Sequence, residues 1–164
     1  MSDTTIPLLR IREIQAGLAG RIFEALARHV GTQKARSIFQ EAIEEDARAA
    51  GSNLARDRGR NDLETFADVI REVWARDGAL ELEDLAIRGS VLTFRVVRCR
   101  YAEMYARLGL QDLGTILSCA RDAAFAQGFN PSFRMERPRI IMAGEPCCEF
   151  RFETEEKTAG RRNG

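Results

Sequence analysis

The apolar residues of this chain change their period at Asp77-Gly78, and that change limits the folds open to it. Before it they recur at three- and four-residue steps, the spacing of a helix face. Leu8, Ile11, Ile14, Leu18, Ile22 and Leu26 form one such stripe, which predicts an amphipathic helix from about Pro7 to His29, stopping at Gly31. Thr32 is placed to cap a second helix carrying Ala35, Ile38, Phe39, Ala42 and Ile43, which Gly51 either interrupts or ends. Asn61 and Asp62 offer a cap for a third, with Leu63, Phe66, Ile70 and Trp74 on one face.

Beyond Gly78 the spacing becomes that of strands. Leu80, Leu82, Leu85 and Ile87 predict a strand with a slip or bulge, Arg88-Gly89-Ser90 is turn chemistry, and Val91 to Cys99 is a second, β-branched strand. Two helices come next, from Tyr101 to Leu108 and from about Gln111 to Ala126, ended by Gly109 and Gly128. A second strand pair, Phe133–Met142 and Cys148–Glu153, is expected around Gly144-Glu145-Pro146. The expected class is α+β: N-terminal helices packed on an antiparallel sheet built from two hairpins, with two further helices between them. Residues 1–156 read as one domain. Residues 157–164 are polar and read as a disordered tail.

Charge narrows the function. Lys plus Arg and Asp plus Glu number 25 each, so there is no basic surplus with which to neutralise nucleic-acid phosphates or seek an anionic membrane. No run is apolar for long enough to span a bilayer. The start, Met1-Ser2-Asp3-Thr4-Thr5, lacks the order of a secretory signal, so the expected location is the cytoplasm and the four cysteines are expected as free thiols. A small-molecule substrate is the expected partner, with homo-oligomerisation left open.

The single histidine, His29, sits near a helix end, where a basic group suits the last carbonyls, and no constellation surrounds it. A Ser-His-Asp triad and a histidine-rich metal site are therefore not expected, and no glycine-rich phosphate loop is present. Cys119 and Asp122 lie three apart on a helix and share a face. A thiol can attack an electrophilic carbon and a carboxyl can pass protons; the simpler reading of the spacing alone makes Cys119 a small buried hydrophobe and Asp122 a surface charge. Arg98, Arg100, Arg121 or Arg137 is available to offset the carboxylate and to bind a substrate carboxylate, whereas Arg95, Arg134 and Arg139 read as a solvated face. In a strand, Cys148 would share the core side with Phe150 and Phe152, and Cys147 would face out with Glu149 and Arg151. A zinc site from Cys99, Cys119 and Cys148 is conceivable but not expected, because no short-spacing cysteine pair supports it.

Cys99-Arg100-Tyr101-Ala102-Glu103-Met104-Tyr105, Leu108-Gly109-Leu110, Leu113-Gly114, Leu117-Ser118-Cys119-Ala120-Arg121-Asp122 and Gly128-Phe129-Asn130-Pro131 together resemble the core of the L-2-aminothiazoline-4-carboxylate hydrolase family. The segment from Gly144 to Phe150 resembles that family's ending. The resemblance implies a hydrolase that adds water to a cyclic amidine carbon, breaks a C–N or C–S bond and yields an N-carbamoyl amino acid; no cofactor and no metal are expected. It implies motif positions at Cys99, Cys119, Asp122, Asn130 and Cys148. The resulting candidate site has Cys119 and Asp122 as catalytic residues, Cys119 being the thiol expected to matter most, and Cys99, Tyr101, Tyr105, Arg121, Asn130 and Arg137 as substrate contacts. Ala120, Pro138 and Glu149 depart from the family pattern. The fold implied also resembles that of four-vinyl-reductase-type small-ligand domains, so the alternative is a non-catalytic ligand-binding or sensor domain.

Overall fold

The structure, a computed structural model, describes residues 6–155. The expected tail and the first five residues lie outside them. Helix α1 spans Leu8–Val30 and α2 spans Thr32–Arg58. Helix α3, Leu63–Val69, continues into a π turn, Ile70–Trp74, where the Ala75 amide bonds to the Ile70 carbonyl. Strands β1, Leu80–Arg88, and β2, Val91–Cys99, form the first hairpin. Helices α4, Arg100–Arg107, and α5, Gln111–Gly114, come next, and a second π turn, Thr115–Cys119, leads into α6, Ala120–Phe129. Strands β3, Phe133–Glu136, and β4, Cys148–Thr154, complete an antiparallel sheet of order β1-β2-β4-β3. The α+β class, the N-terminal helices and the two hairpins are as the sequence predicts. No helix among the described residues is long and apolar enough to cross a membrane.

Local chemistry explains the boundaries. The Asp62 carboxylate accepts from the Thr65 amide at 2.9 Å and caps α3 as expected. Thr32 does not cap α2; Gly31 holds the cap position at φ 83, and Thr32 is the first helical residue. The predicted slip in β1 is real, with register shifts on both sides of Leu82-Glu83 and Asp84 at φ 54. The third strand is shorter than predicted. It ends at Glu136 because Pro138 has no amide to give the ladder, and the chain reaches β4 through a short 3-10 turn at Ile141–Ala143.

Two glycines expected to break helices bring helices together instead. Gly51 lies inside α2, where an added Cβ would sit 2.1 Å from the Phe125 carbonyl oxygen. Gly128 lies inside α6, where an added Cβ would sit 2.0 Å from the Arg48 carbonyl oxygen. The two helices thus cross backbone to backbone.

The hydrophobic interior has two parts. One covers the sheet: Phe66 packs on Phe152 at 5.0 Å and Phe129 at 5.2 Å, and Phe94 stacks on Phe150 at 4.6 Å. The other lies among α1, α2, α4 and α5, around Phe23, Met104, Tyr105, Leu113 and Met142. Helix α1 contributes Ala16, Gly20 and Phe23 to this second part, whereas Ile11, Ile14, Leu18 and Ile22 are 36 to 64% exposed. The stripe legible in the sequence is therefore the outward side of α1, and the inward side is made of small residues that let the helix approach α4.

Candidate functional site

The ionisable groups of interest lie at the seam between the two apolar regions. Cys148 is buried in the first and Cys99 packs against it, while Cys119 packs against the second. Cys119 is the last residue of the π turn before α6, a geometry that carries an extra residue and re-aims the first turn of α6. One turn on, Asp122 meets Arg137, which arrives from the segment after β3. The guanidinium Nη1 donates to Asp122 Oδ2, and Nη2 donates to the Cys119 carbonyl at 3.1 Å. The same guanidinium lies over the Phe150 ring, 5.2 Å from its centroid. Arg137 keeps only 9% of its side-chain surface, and its Nε is buried with no hydrogen-bond partner.

Burial sets the protonation states. The Asp122 carboxyl is pushed up to about 6 by burial, which outweighs the opposing charges of Arg137 and Arg121. The Cys119 thiol is pushed well above its ordinary range, first by burial and then by the Asp122 charge, with Arg137 opposing. The Cys99 thiol is pushed up to about 11 by burial, against the amides of Ala102 and Tyr101 at the start of α4. At neutral pH these are S–H groups, not thiolates.

On the far side of the cluster, α4 presents Tyr101 and Tyr105, 7% and 1% exposed. Burial raises both phenols, Tyr105 to about 12, and the Tyr101 hydroxyl donates to the Trp74 carbonyl at 3.4 Å. Arg121 of α6 is 12% exposed and pairs with Asp46 of α2. Arg12 of α1, which sequence reading missed, comes in beside Arg121 and the two tyrosines; burial and then the Arg121 charge lower its pKa. The signal was present: Arg12 lies four residues before Ala16 and is in phase with the buried side of α1, not with the isoleucine stripe.

Cys99, Cys119, Asp122, Arg137, Tyr101, Tyr105 and Arg121 are thus brought into one neighbourhood. Asn130 is not. It lies eight residues beyond Asp122, roughly 12 Å along a helix, and its amide is fully engaged with the Asn61 carbonyl and with Ser132. Arg98 pairs with Glu103 and Glu81, and Arg100 bonds to the Asp77 carbonyl, both at the surface. His29 bonds to the Ala25 carbonyl at a helix end. Cys147 is a correction. It is 8% exposed, because it precedes β4 in a bend where strand alternation does not apply. Cys148 is in the core as expected, and its sulfur accepts from the Ile141 amide at 3.3 Å. Among the described residues no three His, Cys, Asp or Glu side chains are arranged to hold a metal, the Cys99, Cys119 and Cys148 set included. Surface clefts of about 790 Å³ along α2 and about 530 Å³ between α1 and α4 are lined by other residues, mostly charged, and contain neither Cys119 nor Asp122.

A helix-backed antiparallel sheet with a partly buried ionisable cluster at its seam places the chain in the class of small α+β domains. Within that class, the chain belongs to the L-2-amino-thiazoline-4-carboxylic acid hydrolase family, whose sequence model matches residues 11–152. No curated protein matches it in sequence. Among solved structures it is similar to the phenol-responsive sensory domain of the transcription activator PoxR with phenol, at TM-score 0.54 and 12% identity, covering 85% of this chain and 73% of that one. It is also similar to a trafficking protein particle complex subunit 3 from Naegleria fowleri covalently bound to palmitic acid, at TM-score 0.54 and 10% identity, covering 88% of this chain and 95% of that one. At such identities these likenesses speak for the fold.

Proposed function

We propose that the chain is a hydrolase that opens the C–S or C–N bond of a small cyclic amidine acid, with Asp122 as the proton carrier. The carrying observation is a mostly buried carboxyl, pushed up to about 6 by burial and held in place by Arg137. Such a group accepts and returns protons at neutral pH. For a thiazoline carboxylate, a water gives one proton to the Asp122 carboxylate while its oxygen bonds to the amidine carbon, the ring C=N π pair moves onto the ring nitrogen, and Asp122 returns the proton to that nitrogen. Asp122 then takes the proton of the new hydroxyl as its C=O forms and the ring C–S bond breaks, and passes it to the leaving sulfur, giving an N-carbamoyl amino acid with a free thiol. The neutral state of Cys119 favours a polar anchor bordering the site over a covalent nucleophile.

The second reading is a ligand-binding or sensor domain without turnover. It draws on Asp122 being tied to Arg137, and on the fold shared with a phenol-responsive sensory domain. One assay separates the two. Thiazoline, hydantoin and cyclic urea acids are incubated with the wild type, Asp122→Asn and Cys119→Ala, and ring-opened product is monitored by mass. Turnover that falls roughly 100-fold or more in Asp122→Asn, the ordinary worth of a general base, and survives in Cys119→Ala supports the enzyme reading. Equal rates in the wild type and Asp122→Asn would remove Asp122. Ligand recovered unchanged leaves the sensor reading.

A further inference from the structure

The outward side of α1 carries more apolar surface than a solvated helix needs. Ile11, Ile14, Leu18 and Ile22 are 36, 60, 64 and 49% exposed, and they lie opposite Ala16, Gly20 and Phe23, which face the core. Single exposed aliphatics are ordinary, but a continuous row of them marks an interaction face. The row has a centre. Ile14 and Ile22 lie four residues to either side of Leu18, and Ile11 and Ala25 lie seven. Residues at these spacings share a helix face, so the row reads the same from either end.

The row beside it also has a centre, and its charges change sign there. Glu13 and Arg21 lie four residues to either side of Gly17, and Arg10 and Glu24 lie seven. Turned end for end, this row sets Glu24 against Arg10 and Arg21 against Glu13, opposite charges at every position. Glu13 is also held by Arg10 and by Arg107 of α4. Arg21 and Glu24 are exposed and enter no ion pair among the described residues. Gly17 itself is exposed, and a Cβ added there would meet nothing within 4 Å, whereas one added at Gly20 would meet Leu110 at 2.9 Å. Glycine weakens a helix interior, and no contact among the described residues requires it at Gly17. On a face that meets another helix, it admits a close approach of the backbones.

We infer that the outward face of α1 is the contact between two copies of this chain, packed antiparallel about a two-fold axis at Gly17-Leu18. A two-fold contact needs a face that complements itself when reversed. Helix α1 meets that need twice, with an apolar row symmetric about Leu18 and a charged row antisymmetric about Gly17. The two centres are one residue apart, about 1.5 Å along the helix, within the reach of arginine and glutamate arms. A lipid surface calls for a basic rim, and this rim alternates in sign. The apolar row offers roughly 400 Å² per copy, half of what each partner of a standard interface buries, so the pair belongs at the weak end, with a Kd on the order of 10 µM. The contact is on the side of α1 turned away from the core and is independent of the chemistry proposed at Asp122.

Sedimentation velocity of the whole chain tests this. Between about 1 and about 300 µM, the mass should rise from 18.4 kDa towards twice that value. Leu18→Glu sets two carboxylates against each other at the axis and should weaken association at least roughly 30-fold. Its Tm at low concentration should match that of the wild type, because Leu18 is 64% exposed. Arg10→Glu and Glu24→Arg should each weaken the dimer roughly 3- to 10-fold, and the two together should restore it. Under a mild oxidant, Leu18→Cys should give a disulfide between copies, located by peptide mass. Ile11→Cys should not, because its symmetry mate lies fourteen residues along the helix, roughly 21 Å away. A wild type still monomeric at about 300 µM, a dimer that survives Leu18→Glu, cross-linking through both cysteine variants, or charge reversals that the double variant does not repair would each overturn the pairing. Binding of a monomeric chain to neutral or anionic lipid vesicles would assign the row to a lipid surface and overturn it as well.

Discussion

The two ends of the interior cluster treat charge in opposite ways. At one end Asp122 and Arg137 satisfy each other, and the guanidinium also holds the Cys119 carbonyl and the Phe150 ring. At the other, Arg121 is ion-paired with Asp46, whose carboxylate is mostly in solvent, and the half-buried Arg12 bonds to the neutral Gln15 amide oxygen. A compensated buried pair fixes a proton-carrying group in one orientation. A half-buried guanidinium with no carboxylate in ion-pairing distance gains no such pairing energy. The contrast implies that substitutions at the two ends differ in their effect on stability.

The largest effect is expected from Arg137→Met. It leaves the Asp122 carboxylate buried without a partner, and breaking such a pair costs about 3–5 kcal/mol. Urea denaturation at pH 8 should read that loss, while Arg12→Met under the same conditions should be neutral or stabilising. Losses of equal size at both ends would erase the distinction. Next in size is Gly128→Ala. The new methyl meets the Arg48 carbonyl at 2.0 Å, a backbone atom that cannot swing aside, and overpacking of this kind costs about 1–3 kcal/mol or more. Because α6 carries both Asp122 and Arg121, this variant should damage both ends together, shifting the acid limb of the pH–rate profile and weakening ligand binding. An effect confined to one end would mean that the helix crossing does not set the site.

How much of the fold and site is legible in the sequence depends on whether a signal is local. The α3 cap, the β1 bulge and the Cys148-Phe150-Phe152 alternation are governed by near neighbours and are readable. So is the pairing of Cys119 with Asp122 on one helical face. The inward side of α1 is not, because its small residues are outshone by an isoleucine stripe that the fold leaves exposed. Gly51 and Gly128 read as breakers because their reason for being glycine lies on another helix. The Arg137–Asp122 pair spans fifteen residues and depends on Pro138 turning the chain out of the sheet, which periodicity does not encode. Arg12 escapes notice for the same reason as the α1 face that carries it.

A smaller effect comes from the titration of Asp122. Its carboxyl ionises near 6 in the folded protein against an ordinary 3.8, so the folded state holds the proton over a range where the unfolded state has lost it. Below pH 4 both states are protonated and the stabilisation from holding the neutral acid is full. It is lost as pH rises through 6, by on the order of 2 kcal/mol after allowing for the side chain's partial exposure. Melts of the wild type between pH 4 and 7 should show this fall, and Asp122→Asn should flatten it. The same group acting as base predicts that kcat/KM rises with pH through about 6. A rate that falls over that range would make Asp122 an acid instead.

The smallest expected effect concerns the thiols and separates the two ends most finely. Cys119 and Cys99 are held as S–H, and the charges that bear on Cys119 are those of the Asp122–Arg137 end. At pH 7.5 iodoacetamide should label both residues at least roughly 100-fold more slowly than free cysteine, since the thiolate is the reactive species. Asp122→Asn removes a like charge and should speed labelling of Cys119. Arg137→Met removes the cation that favours the thiolate and should slow it, provided the melt shows the protein still folded. Arg12→Met should leave the rate unchanged, because Arg12 is not among the charges that act on that sulfur. Labelling after digestion, read by mass, resolves the four cysteines individually. Rapid stoichiometric alkylation of Cys119 at neutral pH in the wild type would show that the thiolate is populated. It would restore covalent attack by Cys119, with Asp122 reduced to orienting it.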